Sequence, residues 1–335
     1  MTKIVNNISG ILLLDKPTNI SSNKILQKIK KLFNASKAGH CGTLDPLATG
    51  LLPICFGQAT KTATYLTNSS KTYRVTGQFG IKTDTGDIDG KIIDTQNFAL
   101  PKASNEINTV LQSFIGELNQ IPPMHSAIKH KGMPLYKYAF KGQTIKRAPR
   151  KVFIKEISLN SYSYNLINID VHCSKGTYIR TLIEDIAKKM NTFATVKDLR
   201  RLSIEGFDNI NMKTWDQLKD CKSQNELLNY LKPLDYGLSH LPTIRLSQAE
   251  SERFSFGQKL LYKLSNEHQH LIHRIYDENN YFIAKSNNNV IGMLAFRYQR
   301  PFSLDSKISN LDSYINNDNK YCEIRLLSVK KEFRN

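Results

Sequence analysis

Lys71-Thr72-Tyr73-Arg74-Val75-Thr76-Gly77-Gln78-Phe79-Gly80 alternates with a period of two. Tyr73, Val75 and Phe79 fall on one side, and Thr72, Arg74, Thr76 and Gln78 on the other. Successive side chains of a strand point to opposite faces, so this stretch reads as a half-buried strand. Leu166–Cys173 repeats the pattern, with Ile167, Ile169, Val171 and Cys173 facing one way and Asn168, Asp170 and His172 the other. Gly10–Leu14 is a short apolar run that ends in Asp15-Lys16-Pro17, a strand running into a turn. Leu51–Phe56 reads as a buried strand and Lys91–Asp94 as a short one after the turn Lys82–Gly90.

Helical patterns separate these strands. Ser21 and Ser22 are candidate caps for a helix to about Phe33, striped by Ile25, Ile29, Leu32 and Phe33. A helix is expected from Gly57 to Leu66, and another is marked by Ile107, Val110, Leu111 and Phe114. Gly176-Thr177 opens a strong one, in which Ile179, Leu182, Ile183, Ile186, Ala187 and Met190 keep helical spacing. Strands and helices interleave without a repeating βα unit. The fold class is therefore α+β, a mixed, mainly antiparallel sheet with flanking helices. Pro233 and Pro242 bracket a linker, which sets domains at 1–238 and 239–335. In the second, Ser247-Gln248-Ala249-Glu250 is a capping box before a helix ending near Gly257. Strand-like runs follow at Tyr281–Lys285 and Val290–Arg297, so this domain is small and mainly β.

The 335 residues carry 47 Lys+Arg against 29 Asp+Glu, a formal net charge of +18. That excess points to a polyanionic partner or to a solvated basic surface. Residues 1–238 hold +14 of it. The densest stretch, Lys129–Lys155, has nine Lys/Arg and no acid, with Tyr136, Tyr138 and Phe140 interleaved. Cations of this kind attract phosphates and exposed rings stack on bases, unless the stretch is only a solvated hairpin or short helix. Five widely spaced cysteines without a CxxC argue against a disulfide framework or a structural zinc site, and for a reducing cytosol. His268, His270 and His273 lack a companion at ligand spacing. The N-terminus shows no signal-peptide stretch and no apolar run is long enough to span a membrane.

The most unusual segment is Gly39-His40-Cys41-Gly42-Thr43-Leu44-Asp45-Pro46-Leu47-Ala48-Thr49-Gly50-Leu51-Leu52. It breaks periodicity, and Asn34–Gly50 as a whole is expected to be loop. Pro46 biases Asp45 toward extended backbone, and the glycines permit close approach or positive φ. A carboxylate held there is a nucleophile, a base, or simply the cap of an Asp-Pro turn.

This segment resembles the signature of the TruB family, the tRNA pseudouridine-55 synthases of the bacterial type. Gly10–Pro17 followed by Ser21-Ser22-Asn23 is similar to the family's N-terminal segment. Lys71-Thr72-Tyr73-Arg74-Val75 with Thr83-Asp84-Thr85-Gly86-Asp87 resembles a second motif, and Gln120-Ile121-Pro122-Pro123-Met124 a third. Cys173–Leu182 resembles a fourth and Leu199-Arg200-Arg201-Leu202 a fifth, all in the family's order. The resemblance implies conversion of one uridine in the tRNA T-loop to pseudouridine, with base flipping and no cofactor or metal. It implies that Asp45 is the catalytic aspartate, that Arg180 pairs with it bidentately, and that Tyr73 packs on the uracil and serves as a base. His40 would fill space near extruded nucleotides, Tyr178 and Leu199 would contact the target nucleotide, and Lys16 and the basic stretch would hold phosphates. His125 stands where the family carries Tyr or Phe, which puts a stacking role there in doubt. The tail resembles a PUA-type RNA-binding domain. The implied protein is a cytoplasmic monomer whose partner is the T-arm of tRNA. A tRNA-folding chaperone and a glycosidase are the rival functions; the second normally needs two carboxylates flanking the bond.

Overall fold

The computed structural model describes residues 8–207, 210–238, 243–245, 249, 260–263, 281–286, 289–298 and 321–329. The chain divides into two compact units, Met1–Pro233 and Leu234–Asn335.

In chain order the first unit holds β1 (Gly10–Lys16), α1 (Ser22–Leu32), β2 (Ala38–His40), β3 (Thr49–Phe56) and, after a 3-10 turn at Gly57–Lys61, α2 (Ala63–Asn68). β4 (Lys71–Phe79), β5 (Ile81–Thr83), β6 (Ile92–Thr95), α3 (Ser104–Gln112) and β7 (Gly116–Gln120) follow. Next come β8 (Lys129–His130), β9 (Met133–Pro134), α4 (Leu135–Ala139), β10 (Arg150–Ser163) and β11 (Leu166–Cys173). The unit closes with α5 (Ile179–Lys189), β12 (Ala194–Ile204), β13 (Lys213–Thr214), α6 (Trp215–Lys219) and α7 (Gln224–Asn229). Its main sheet has nine strands in the order β13-β1-β3-β12-β4-β11-β10-β7, with β2 paired to β3. The β1–β13 and β3–β12 pairs are parallel and the other pairs antiparallel, which gives the expected mixed, mainly antiparallel sheet.

The sheet exists because its strands present apolar rows to one core. Leu12, Leu14, Leu52, Ile54, Val75, Phe79, Ile167, Ile169 and Val171 meet the buried stripes of α1, α3 and α5 in one cluster. Ser21 caps α1 by accepting from the Lys24 amide, and Ile25, Leu26 and Ile29 are its buried face. α5 buries Ile179, Leu182, Ile183, Ile186 and Ala187, side chains worth about 1.5–3 kcal/mol each when the bulky ones are fully covered. It can approach β4 closely because Gly77 has no side chain: a Cβ there would lie 3.1 Å from Ile183 Cγ2.

Several expectations change. β1 continues through Asp15 and Lys16 instead of turning there, because it pairs with β3 along its whole length, Gly10 with Phe56 to Lys16 with Gly50. The expected loop 34–50 contains β2, which extends the sheet beside β3. The helix expected over 57–66 divides into the 3-10 turn and α2. The basic stretch forms the β8–β9 hairpin, then α4, and ends inside β10.

The second unit carries β14 (Thr243–Arg245), β15 (Leu260–Lys263), β16 (Tyr281–Ser286), β17 (Asn289–Tyr298) and β18 (Tyr321–Val329) in one sheet, ordered β14-β16-β17-β18-β15. The two strand-like runs read from sequence are β16 and β17. Ala249 apart, the expected capping-box helix lies outside the described residues, as do His268, His270 and His273.

Candidate active site around Asp45

The backbone on either side of Asp45 is gripped by three buried polar side chains from three elements. Ser22, at the start of α1, donates through Oγ to the Leu44 carbonyl at 2.9 Å and accepts from the Leu44 amide at 2.8 Å. Lys16, at the end of β1, is fully buried, and its Nζ donates to Ala48 O at 2.7 Å, Pro17 O at 2.9 Å and Pro46 O at 3.1 Å. Arg201 of β12 is 1% exposed; its Nε donates to Leu51 O at 2.7 Å and its Nη2 to Gly42 O at 3.1 Å. Gly50 is required where this loop enters β3: its φ is +97°, and a Cβ would fall 2.2 Å from Arg201 O. A loop this closely bonded holds the carboxylate at one place rather than sampling many.

Arg180, in the first turn of α5, reaches Asp45 with Nε 2.9 Å from Oδ2. Its other nitrogens are committed elsewhere, Nη1 to Thr85 O at 2.6 Å and Nη2 to His125 O at 2.8 Å. The expected bidentate pairing is therefore replaced by a single contact from a guanidinium fixed by two further segments. A second carboxylate, Asp87, lies 3.8 Å from Arg180 Nη1 and accepts from Thr85 Oγ1 at 2.6 Å. The Arg180 side chain is 5% exposed, but Asp45 keeps 34% of its side-chain surface, so a substrate can reach it. Burial raises the Asp45 carboxyl above its ordinary value, Arg180 opposes that rise, and Asp87 adds to it. Such a carboxylate is more basic than a free one while its partner keeps it oriented.

Tyr73 lies on β4 opposite Arg201 on β12 and Val171 on β11. It packs against the core while remaining partly exposed. Burial raises the phenol, with Arg201 the main opposing influence. His40, the last residue of β2, has its pKa lowered by burial and then by Arg201, and its buried Nδ1 finds no partner among the described residues. The imidazole is thus held neutral beside the loop. Tyr178 precedes α5 and is locked by Gln120, which accepts from the Tyr178 amide at 3.0 Å and donates to its carbonyl at 3.3 Å. That bond sets the start of the helix carrying Arg180. Leu199 is buried in the core on β12, opposite Val75. Asp45, Arg180 and Tyr73 thus converge, with His40 at the edge of the same loop.

Lys16 is a correction. Its ammonium is spent on three carbonyls and has no exposed surface, so it clamps the Asp45 loop instead of facing phosphate. Desolvation lowers it from 10.5 to about 8, which leaves it charged at neutral pH. Arg201, Asp87, Ser22 and Gln120 all lie in the motifs quoted above, yet residue type and spacing alone assign them no role. Lys71 is a further buried cation, bonded to Thr67 O at 2.7 Å and to Ser69 O, and lowered to about 8 by burial and then by Arg201.

The cysteines do not all stay apart: Cys41 and Cys55 place their sulfurs 3.3 Å from each other as buried free thiols. His172 and Cys173 do lie on opposite faces of β11, the first partly exposed and the second buried. Among the described residues no group of three His, Cys, Asp or Glu could hold a metal ion, and no helix is long and apolar enough to cross a membrane. In the basic stretch Phe140 is 77% and Tyr136 36% exposed, edge to face at 6.0 Å. The His125 ring meets the Phe140 ring at 5.6 Å while its carbonyl holds Arg180, so one residue joins the aromatic surface to the buried arginine.

Known proteins share this sequence pattern and fold. Residues 30–179 match the model for the N-terminal domain of the TruB family of pseudouridylate synthases. Residues 180–239 match the model for the C-terminal domain of tRNA pseudouridylate synthase B. The tRNA pseudouridine synthase B of Buchnera aphidicola subsp. Acyrthosiphon pisum is 43% identical over 313 residues, covering 91% of this chain and 98% of that protein. The protein of the same name from Actinobacillus pleuropneumoniae serotype 5b is 42% identical over 264 residues, 78% of this chain and 86% of that one. In fold, the chain is similar to one in the crystal structure of a Cbf5-Nop10-Gar1 complex, with a TM-score of 0.66 at 20% identity, covering 96% of this chain and 84% of that one.

Proposed function

The chain belongs to the TruB family of pseudouridylate synthases, and on that footing we propose that it isomerises the uridine at position 55, in the T-loop of tRNA, to pseudouridine. The observation that carries the catalytic assignment is the 2.9 Å contact between Arg180 and an Asp45 carboxylate that is still one-third exposed. The bond from ribose C1′ to uracil N1 breaks, the uracil turns, and C5 joins C1′. N1 gains a proton and C5 loses one, so every atom of the product comes from substrate and water.

Asp45 is the group that attacks, at uracil C6 or ribose C1′, or that takes the proton. Its raised basicity suits each role, and the fixed guanidinium stabilises the charge it must recover on leaving. A T-loop base must leave its stack, at a cost of a few kcal/mol. Tyr73 offers a ring for the extruded uracil and a hydroxyl for proton transfer. Neutral His40 occupies the neighbouring space with a free ring nitrogen. The exposed rings and cations of residues 129–155 hold the T-arm through phosphates and stacking. The second unit serves as a PUA-like RNA-binding domain in a cytoplasmic monomer. The test is to map pseudouridine in unmodified tRNA transcripts after incubation with the wild-type protein and with Asp45→Asn. Modification of position 55 by the wild type alone is expected; equal rates for both proteins would remove Asp45 from the chemistry.

A further inference from the structure

Arg201 has no part in the roles above, yet it touches three pieces of the site. It is the cross-strand partner of Tyr73 on one side of β12 and of Gly50 on the other. Its guanidinium spans the two ends of the Asp45 loop, donating to Gly42 O and Leu51 O, and its charge opposes the rise that burial imposes on the neighbouring Tyr73 phenol. The fit leaves little slack. Gly42, at φ +81°, has an open Cβ position only 3.3 Å from Arg201 Nη1, and Gly50 lies against the Arg201 backbone. A core arginine kept only for packing would be replaceable by an apolar side chain of similar volume. This one stands across from a strand tyrosine and ties down the backbone of the carboxylate's loop through a planar fork that lysine cannot reproduce.

We infer that Arg201 is a positioning residue for the isomerisation, setting the Tyr73 hydroxyl and the Asp45 loop in one register. The inference rests on the uridine-isomerising activity proposed above. Arg201 does not touch the reacting atoms; it acts through Tyr73 and through the loop backbone. The charged or titratable groups that act on the Tyr73 phenol are Arg201 from β12, Cys173 from β11 and Asp45 from the loop, and Arg201 is the cation among these three.

The experiment compares the wild type, Arg201→Lys and Arg201→Gln in single-turnover pseudouridine formation at saturating tRNA, with tRNA affinity measured on the same proteins. Misplacing a reacting group by about 1 Å costs about 100-fold in rate, so Arg201→Lys should slow the reaction by about that factor with affinity changed less than about 3-fold. In Arg201→Gln the cation is gone and the Tyr73 phenol loses its main support for ionising, so the alkaline limb of the rate profile should move to higher pH. A packing role would scale the profile without moving it. A wild-type rate in Arg201→Lys, a loss matched by weakened tRNA binding, an unmoved limb in a folded Arg201→Gln, or failure of both variants to fold would overturn the inference. A wild-type protein that makes no pseudouridine would instead overturn the proposed activity, so the two failures are distinguishable.

Discussion

Replacing Lys16 with Met separates two roles that a cation at this position could have. Met keeps the unbranched apolar stem and removes the charge. In the folded chain the ammonium is depressed from 10.5 to about 8, which corresponds to about 3 kcal/mol against the buried charged form. The substitution relieves that penalty. Against it, the carbonyls of Pro17, Pro46 and Ala48 lose a donor, at about 1–3 kcal/mol for each one left dry. Only the Ala48 bond is buried throughout, so water can replace part of the loss. These contributions nearly cancel, and global stability at pH 7 should change by less than about 2 kcal/mol. The Asp45 loop, however, loses one of its three clamps. Turnover should fall about 100-fold, with tRNA affinity and its salt dependence unchanged. A phosphate-binding role would give the reverse: weaker binding, a slope of log affinity against log salt smaller by about 1, and near-normal turnover at saturation. The assay is tritium release from tRNA labelled at uridine C5, alongside filter binding at several salt concentrations. Weakened binding with unchanged turnover would refute the clamp. Stability gives an independent check. Because the folded pKa lies below the unfolded one, the unfolded chain holds more protons between about pH 8 and 10.5, and the wild type should gain stability over Lys16→Met there. The gain should approach about 3 kcal/mol by urea denaturation.

Burial holds the Asp45 carboxyl above the usual range, so activity should fall away on acidification at a higher pH than for an exposed aspartate; a rate that stays flat down to about pH 4 would contradict it. Gly50→Ala places a Cβ 2.2 Å from Arg201 O at a positive φ, and should cost more than about 2 kcal/mol in urea denaturation by parting β3 from β12. Changing Lys129, Lys131 and Arg150 together to Gln should lower the salt slope of tRNA binding by about 0.9 for each phosphate no longer neutralised, with turnover at saturation kept.

Much of the sheet was legible because β4 and β11 keep an unbroken period of two and expose one polar face. β10 and β12 were not, and bulges are the reason. β10 buries Val152 and Ile154, then turns both Lys155 and Glu156 outward before burying Ile157, so the alternation changes phase at the register shift. β12 does the same at Lys197 and Asp198, after which Leu199 and Arg201 face inward. β7 is short and pairs with the outermost part of β10, so few of its side chains reach the core. At the candidate site, motif resemblance pointed to Asp45, Arg180 and Tyr73, while the division of Arg180's donors among Asp45, Thr85 and His125 could not be read from it. Backbone carbonyls carry no side-chain signal, so a cation that serves them looks in sequence like any other surface charge.

Cations of that kind change what the net charge of +18 means. Lys16, Lys71, Arg180 and Arg201 are all nearly or fully buried in the unit that carries Asp45. Arg180 is the one among them paired with carboxylates, Asp45 and Asp87, and a buried excess of cations would ordinarily be expelled or neutralised. It persists because each of the four donates to at least two backbone carbonyls, whose dipoles replace water. For Lys16 and Arg201 most of those carbonyls, Gly42, Pro46, Ala48 and Leu51, belong to the Asp45 loop, so there the bonds that make the charges tolerable also hold the loop. Arg180 and Lys16 oppose the rise that burial imposes on Asp45, from positions that need not reorganise when the substrate arrives. The interior cations therefore serve backbone carbonyls inside the fold, and the exposed ones, densest in residues 129–155, are left to contribute to a salt-dependent grip on a polyanion.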